Sequence, residues 1–154
     1  MRHVEAPSDD VLRAYGDALF LLMRSPRHAG LGMGALRAAF EPPLALGQYR
    51  IFRFSGVPRA MLTYARLTRA AEARMLAGEA LAPEEWRGGG RLWLVDAVAP
   101  YPGLPTKLGR WLRAPGNFAK SEFRFRRLDA DGRTRRIAHV DFARPGDPLR
   151  LETA

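Results

Sequence analysis

A single carboxylate interrupts an otherwise apolar run of this chain. The run is Leu92-Trp93-Leu94-Val95-Asp96-Ala97-Val98, which has the length and composition of a buried strand. A carboxylate in such a run must be paired, hydrogen-bonded or protonated, because burying an unpaired charge is strongly unfavourable. Whatever fold the chain adopts must therefore bring a partner to Asp96.

A histidine far upstream is the natural candidate for that partner. His28 stands in the segment Ser25-Pro26-Arg27-His28, which follows an amphipathic run. An imidazole titrates near neutral pH, so it can accept a proton during a reaction while a carboxylate fixes its tautomer. The two side chains would then be a base and the group that orients it. The alternative is that Asp96 accepts hydrogen bonds from backbone amides at a bulge and that His28 lies in a surface loop.

The length of the chain, 154 residues, suits one domain with one hydrophobic core. Hydrophobic residues make up 47% of the sequence and charged residues 27%, which are the proportions of a globular protein. The residues after position 142 include two prolines and have no clear apolar period. We therefore assign residues 1–142 to a single domain and expect residues 143–154 to form a loose tail.

No apolar run approaches the roughly 18 residues that a membrane-spanning helix needs. Arg13 and Asp17 interrupt the best candidate, and the first ten residues are polar and acidic, unlike a secretory signal. We therefore expect a cytoplasmic protein with no membrane span. The chain has no cysteine, which excludes disulfides, thiolate metal sites and a thiol nucleophile.

The net charge of +9 predicts attraction to acidic partners, although charge alone does not distinguish nucleic acid, anionic lipid and acidic protein. Two groups of basic residues stand out, one in a predicted helix and one in a predicted hairpin. They are Lys107, Arg110 and Arg113 in the helix, and Arg124, Arg126, Arg135 and Arg136 in the hairpin. Each group is either a solvated face or a docking surface for an acidic protein.

Caps, breakers and apolar spacing predict the helices. Ser8 caps a first helix over about 9–24, and glycines predict a loop over 27–34 with His28 at its start. The other predicted helical segments are a short helix over 33–40 stopped by Pro42-Pro43, a helix from Thr68 to Gly78, one turn at 83–86 and a helix over 106–113. Gly88-Gly89-Gly90 is expected to be a flexible link into the strand that contains Asp96.

Two pairs of apolar-rich runs flank short turns and predict β-hairpins. The first hairpin joins 48–54 to 59–67, and the second joins 121–128 to 133–142. With the strand around Asp96, they predict an α+β fold, a mainly antiparallel sheet of five or more strands flanked by helices.

Signatures of nucleotide hydrolysis and metal binding are absent from the sequence. It has no P-loop, no HExxH and no His/Cys group at zinc spacing, so we expect no metal site. The segment 103–110 follows a strand and enters a helix, so it is either a plain turn or a place where backbone amides meet a phosphate.

With these residues in hand, the chain resembles the RTX-toxin-activating lysine acyltransferases, the bacterial HlyC-type family. The resemblance covers residues 12–142. Its distinctive pieces are Ser25-Pro26-Arg27-His28, Gln48-Tyr49, Trp86 and the segment from Trp93 to Tyr101, which match in order and spacing as well as in residue type.

The resemblance implies a fold like that of the GCN5-related N-acyltransferases and an acyl carrier protein that delivers a fatty acyl group as a phosphopantetheine thioester. No permanently bound cofactor is implied. The acyl group would pass to internal lysines of an RTX-type protoxin, with His28 and Asp96 as the catalytic pair and Ser25 in a supporting role. The resemblance also suggests a homodimer.

The chemistry of the residues is compatible with that activity. A lysine amine, with a reference pKa near 10.4, attacks a thioester only when it is neutral, so the reaction needs a base or a desolvating site. His28 would take the proton and Asp96 would hold the imidazole. Direct transfer and an acyl-histidine intermediate both stay open. Acyl carrier protein is acidic, which makes Lys107, Arg110 and Arg113 candidate contacts for it or for the phosphopantetheine.

Two other functions compete with this one. The first is a CoA-dependent N-acyltransferase on another amine, which would bind CoA through the turn at 103–109. The second is a basic nucleic-acid-binding module, for which the net charge is the only argument. Because no aromatic RNA-binding platform or recognition motif is present, we expect no nucleic-acid partner.

Overall fold

The computed structural model describes residues 5–114, 117–118, 122–129 and 131–153. Its helices are α1 (Asp9–Leu22), α2 (Pro26–Ala29), α3 (Met33–Leu46), α4 (Arg69–Leu76), a 3₁₀ helix (Pro83–Arg87) and α5 (Leu104–Arg113). Its strands are β1 (Tyr49–Phe54), β2 (Val57–Leu67), β3 (Arg91–Val98), β4 (Glu122–Leu128), β5 (Thr134–Asp141) and β6 (Leu149–Thr153). The predicted start of the second hairpin at Ser121, and Ala130 in its turn, lie outside the described residues.

The six strands form one sheet in the order β1-β2-β3-β4-β5-β6. The α+β class, with helices flanking the sheet, agrees with the expectation from sequence. The sheet itself is mixed, because β3 and β4 run parallel while the other neighbouring strands are antiparallel. The sequence-based expectation was a mainly antiparallel sheet, and it did not include the parallel pairing of β3 with β4. A parallel neighbour requires a crossover connection, and α5 lies in the connection from β3 to β4.

The parallel junction is short. It pairs Trp93 with Arg124 and Leu94 with Phe125, whereas β2 and β3 pair over seven positions. Beyond Leu94, β3 continues to Val98 and β4 continues to Leu128 without pairing with each other. The sheet therefore opens between these two strands, and we call this opening the β3/β4 slot.

Helices cover both faces of the sheet. Neighbouring residues of a strand point to opposite faces, so each strand can contact helices on either side. Met61 and Val98 pack with the buried faces of α1 and α3, which contribute residues such as Leu21 and Phe40. On the other face, Leu62 of β2 packs with Leu108 of α5. The slot consequently has α5 on one side and the helices near the N-terminus on the other.

The capped helices follow the prediction closely. The Ser8 side chain accepts a hydrogen bond from the Val11 amide at the start of α1, and Thr68 accepts one from Ala71 at the start of α4. Both caps are local signals that depend on one side chain and one turn of backbone.

The expectation that Pro42-Pro43 stops a helix at residue 40 is wrong, because α3 runs on to Leu46. A proline removes one amide donor and crowds the preceding turn. Here both rings are buried, and the Pro43 carbonyl accepts the hydrogen bond from the Gln48 amide that ends the helix. Gly47, with φ of 68°, then turns the chain into β1.

In the Gly88-Gly89-Gly90 segment, expected to be a flexible link, Gly89 is packed against a neighbouring segment of the chain. The Gly89 amide donates to the Arg66 carbonyl at 2.8 Å. A Cβ atom at Gly89 would overlap the backbone of Leu67 and Thr68, so the glycine permits a close approach of two chain segments.

Within the stretch expected to be a loose tail, residues Leu149–Thr153 form β6, antiparallel to β5. Most residues of β6 are exposed, so the strand has no buried apolar face to mark it in the sequence. Its order comes from backbone pairing with β5.

Candidate active site

His28 lies in α2, not in the loop that glycine spacing predicted. Ser25 precedes Pro26, which occupies the first position of this four-residue helix, a place where the missing amide of proline costs nothing. The helix turns the His28 side chain inward, where it is 3% exposed and meets Phe40 edge to face. A histidine this buried needs partners for its ring nitrogens.

Asp96 lies at a bulge in β3. The pairing with β2 shifts between Thr63 and Tyr64, which face Asp96 and Leu94, so Val95 is the extra residue. The Asp96 Oδ1 atom accepts a hydrogen bond from the Ala97 amide at 2.8 Å. The alternative interpretation from sequence, amide bonding at a bulge, thus describes part of what Asp96 does.

The structure brings Asp96 and His28 together. The His28 Nε2 atom lies 2.8 Å from Asp96 Oδ2, and His28 Nδ1 lies 2.7 Å from the hydroxyl oxygen of Ser25. An ionised carboxylate only accepts, so Nε2 must be the donor, and Nδ1 of the neutral ring then accepts from Ser25. The three side chains form a hydrogen-bonded chain in which Asp96 and Ser25 contact the two ring nitrogens of His28.

Arg27 is a further partner of Asp96 that the sequence analysis did not single out. One Arg27 Nη2 nitrogen donates to Asp96 Oδ1 at 2.5 Å and to the Ala97 carbonyl at 3.3 Å. Its side chain is 42% exposed, while that of Asp96 is 17% exposed. The available signal was the position of Arg27 next to His28 in the segment Ser25-Pro26-Arg27-His28.

The partners of Asp96 decide its charge. Burial raises the pKa of this carboxyl, but the hydrogen bond from His28 and the charge of Arg27 outweigh burial and hold the pKa below its ordinary value. Asp96 is therefore an anion at neutral pH, able to stabilise a positive charge on His28.

A pocket of about 480 Å³ occupies the β3/β4 slot next to this group. Its wall is apolar on the side of α5, where Leu62, Leu108 and Leu112 line it, and charged on the other side, where Arg27, Asp96 and Arg126 line it. This volume lies in the range of small-molecule sites, which combine an apolar wall with a few polar groups.

Arg126 is the third charged group of the pocket. The sequence placed it in the basic group of the terminal hairpin, either a solvated face or a docking surface for an acidic protein. Its guanidinium donates to the Met75 carbonyl at 3.3 Å. Burial lowers the pKa of Arg126, and the charge of Arg27 lowers it further, while that of Asp96 raises it. The signal that sequence offered was the alternation of arginine and phenylalanine along β4, which does not reveal which face a helix covers.

Lys107, Arg110 and Arg113 are exposed on α5, and the structure does not bring them to the pair of His28 and Asp96. Leu108 and Leu112 of the same helix face the pocket. The helix thus separates a basic outer face from an apolar inner one.

Within the described ranges, no three His, Asp or Glu side chains come together as a metal ion would require. None of the helices in that part of the chain is both long and apolar enough to span a membrane.

Comparison with known proteins adds independent information. The sequence model of the RTX toxin acyltransferase family matches residues 8–141. The chain is 32% identical over 141 residues to the protein-lysine palmitoyltransferase CyaC of Bordetella bronchiseptica, a match that covers 80% of this chain and 76% of CyaC.

Two further relatives carry names of the same kind. The chain is 30% identical over 124 residues to the RTX-I toxin-activating lysine-acyltransferase ApxIC of Actinobacillus pleuropneumoniae, covering 80% of this chain and 70% of ApxIC. It is 31% identical over 87 residues to the leukotoxin-activating lysine-acyltransferase LktC of Mannheimia haemolytica serotype A1, covering 56% and 52%. The family match spans both Ser25-Pro26-Arg27-His28 and Asp96, and on it this chain belongs to the RTX toxin acyltransferase family.

Proposed function

We propose that this protein transfers a fatty acyl group from acyl carrier protein to internal lysines of an RTX-type protoxin. The observation that carries the proposal is the contact of His28 with Asp96 beside an apolar pocket, in a chain of this family. The relatives named above are lysine acyltransferases, two of them toxin-activating, which supports the reaction class and the type of substrate.

In the proposed reaction, the neutral amine of the substrate lysine attacks the thioester carbonyl carbon. A C–N bond forms and the C–S bond breaks, so the carrier leaves as a thiolate. The amine proton passes to His28, and the imidazolium then returns it to the thiolate. Asp96 orients the ring and stabilises its positive charge, as its hydrogen bond to Nε2 allows.

The hydrogen-bond pattern indicates which ring nitrogen takes the proton. Nε2 is engaged with Asp96, so the proton arrives at Nδ1, next to the Ser25 hydroxyl. Asp96 lines the pocket but His28 and Ser25 do not, so the proposal requires the amine to reach the Ser25 hydroxyl from the end of the slot beside Asp96. There Ser25 would relay the proton, accepting from the amine while donating its own proton to Nδ1. This is the supporting role we assign to Ser25.

The β3/β4 slot is the proposed place for the donor. An arm of phosphopantetheine between two separating strands would match the GCN5-related type of acyltransferase, to which we assign the fold. The apolar wall of Leu62, Leu108 and Leu112 suits an acyl chain. The exposed face of Lys107, Arg110 and Arg113 on the same helix suits the acidic carrier protein.

The proposal is tested by reconstituted transfer from acyl-loaded carrier protein to a lysine-containing protoxin fragment. His28→Ala and Asp96→Asn are expected to lower the transfer rate by about 10²–10⁴-fold, because each removes a member of the proton-accepting pair. Circular dichroism should show that both variants remain folded.

His139→Ala is the matched control. His139 also contacts a carboxylate, that of Glu122 at 2.7 Å, but in the terminal hairpin. The His139→Ala protein should transfer the acyl group at the wild-type rate. Wild-type rates for His28→Ala would refute the assignment of the base, and efficient transfer from acyl-CoA but not from the carrier protein would favour the CoA-dependent alternative.

A further inference from the structure

The charges around the pocket are unbalanced. Its lining includes two guanidinium groups, Arg27 and Arg126, and one carboxylate, Asp96. β2 contributes Leu62 and α5 contributes Leu108, Gly109 and Leu112, none of which ionises. These three side chains together have an excess of one positive charge.

Arg126 supplies this excess. Arg27 forms an ion pair with Asp96, but in the described part of the chain no carboxylate oxygen lies within 4 Å of the Arg126 guanidinium. Among the residues that the structure describes, its hydrogen-bond acceptor is a neutral group, the Met75 carbonyl. A partly buried cation of this kind interacts strongly with other charges in the pocket, because neither a counter-ion nor bulk water fully screens it.

A positive site is a poor binding place for an ammonium ion and a suitable one for a neutral amine. A like charge nearby disfavours the charged form of a lysine and lowers its pKa. Lowering of this kind, by another cationic group, is one of the ways in which lysines are activated as nucleophiles.

We propose that Arg126, together with Arg27, activates the substrate lysine by favouring its neutral form in the β3/β4 slot. The inference rests on the proposed function and adds a role for the arginines to it. The first proton of the ammonium group goes to bulk water when the lysine enters the slot. The neutral amine then attacks the thioester carbonyl carbon, and its second proton goes to His28 as described above.

The test compares pH profiles of kcat, which report groups in the enzyme–substrate complex, for the wild type and for Arg126→Met. Loss of the cation should raise the pH at which the substrate amine becomes reactive by about 1 unit, which is about a tenfold loss at pH 7. The loss of rate should shrink once the pH exceeds the value at which the substrate amine becomes neutral in Arg126→Met. Arg126→Lys keeps a positive charge and should keep most of the wild-type profile.

Arg127→Met is the matched control, since Arg127 is the exposed neighbour on the same strand. It should leave the profile unchanged. Thermal unfolding checks that each variant is folded, and Arg126→Gln, which retains a donor for the Met75 carbonyl, takes the place of the Met variant if that one unfolds.

A second substrate separates activation of the amine from binding of the acyl donor. A peptide with S-aminoethylcysteine in place of lysine has a less basic amine, so it should restore much of the rate lost in Arg126→Met at pH 7. An equal loss at every pH, with no restoration by this peptide, would overturn the inference and leave the proposed function intact. Absence of transfer by the wild type would overturn both.

Discussion

At the scale of the residue, the position of Asp96 in an apolar strand explains why His28 lies against it. A buried carboxylate is unfavourable unless another group pairs with it or donates a hydrogen bond to it, and the contact of Asp96 with His28 meets that requirement. Arg27 and Arg126 were not assigned to the same site, because neither apolar spacing nor charge count reports which arginines meet at a pocket. Their shared place is set by long-range packing of α2, β3 and β4.

Ser25→Ala tests the relay at this scale. The variant removes the hydroxyl that donates to His28 Nδ1, so we expect a loss of about 1 kcal/mol in the free energy of unfolding. The transfer rate should fall by about tenfold rather than vanish, because a water molecule can occupy the freed space and pass the proton. Denaturant unfolding and single-turnover kinetics measure the two effects, and an unchanged rate would remove Ser25 from the proton path.

Asp96 also predicts a dependence of stability on pH. Because its pKa is lowered in the folded state, ionised Asp96 stabilises the fold above its unfolded pKa, near 3.9. This contribution is lost as the pH falls through the folded value. The difference in unfolding free energy between the wild type and Asp96→Asn should therefore be constant above about pH 5 and shrink below about pH 4.

Denaturant unfolding of both proteins from pH 7 to pH 3 measures that difference. A difference that stays constant over the whole range would mean that Asp96 has no lowered pKa in the folded protein.

At the scale of the element, local signals were reliable and non-local ones were not. Ser8 and Thr68 predicted the starts of α1 and α4, because each cap depends on atoms within one turn. The passage of α3 through Pro42-Pro43 could not be predicted in the same way, since it depends on burial against the rest of the fold. The same holds for β6, whose backbone pairs with β5.

Gly89 and Gly90 provide a matched pair of variants for the connection before β3. In Gly89→Ala the new methyl group would overlap the backbone of Leu67 and Thr68, whereas nothing lies within 4 Å of a Cβ at Gly90. We expect Gly89→Ala to lower the free energy of unfolding by about 1–3 kcal/mol and Gly90→Ala to change it by less than about 0.5 kcal/mol. Chemical denaturation followed by tryptophan fluorescence is the measurement, and equal effects would show that the close approach at Gly89 is not tight.

At the scale of the whole molecule, the site depends on an interruption of the sheet. β3 and β4 pair at two positions and then separate, which opens the slot next to Asp96. The sequence predicted an α+β fold, its hairpins and a helix between the Asp96 strand and the second hairpin. It did not predict the parallel junction, because that junction depends on how the α5 connection crosses the sheet. The pocket is thus a property of the assembled fold rather than of any one motif.

The central claim is that His28, held by Asp96, accepts a proton from a protoxin lysine that takes an acyl group from acyl carrier protein. Mass spectrometry of an RTX protoxin incubated with acyl-loaded carrier protein and this enzyme tests it most directly. We expect lysine peptides heavier by one acyl group with the wild type, and unmodified peptides with folded His28→Ala. Equal acylation by the two proteins would contradict it.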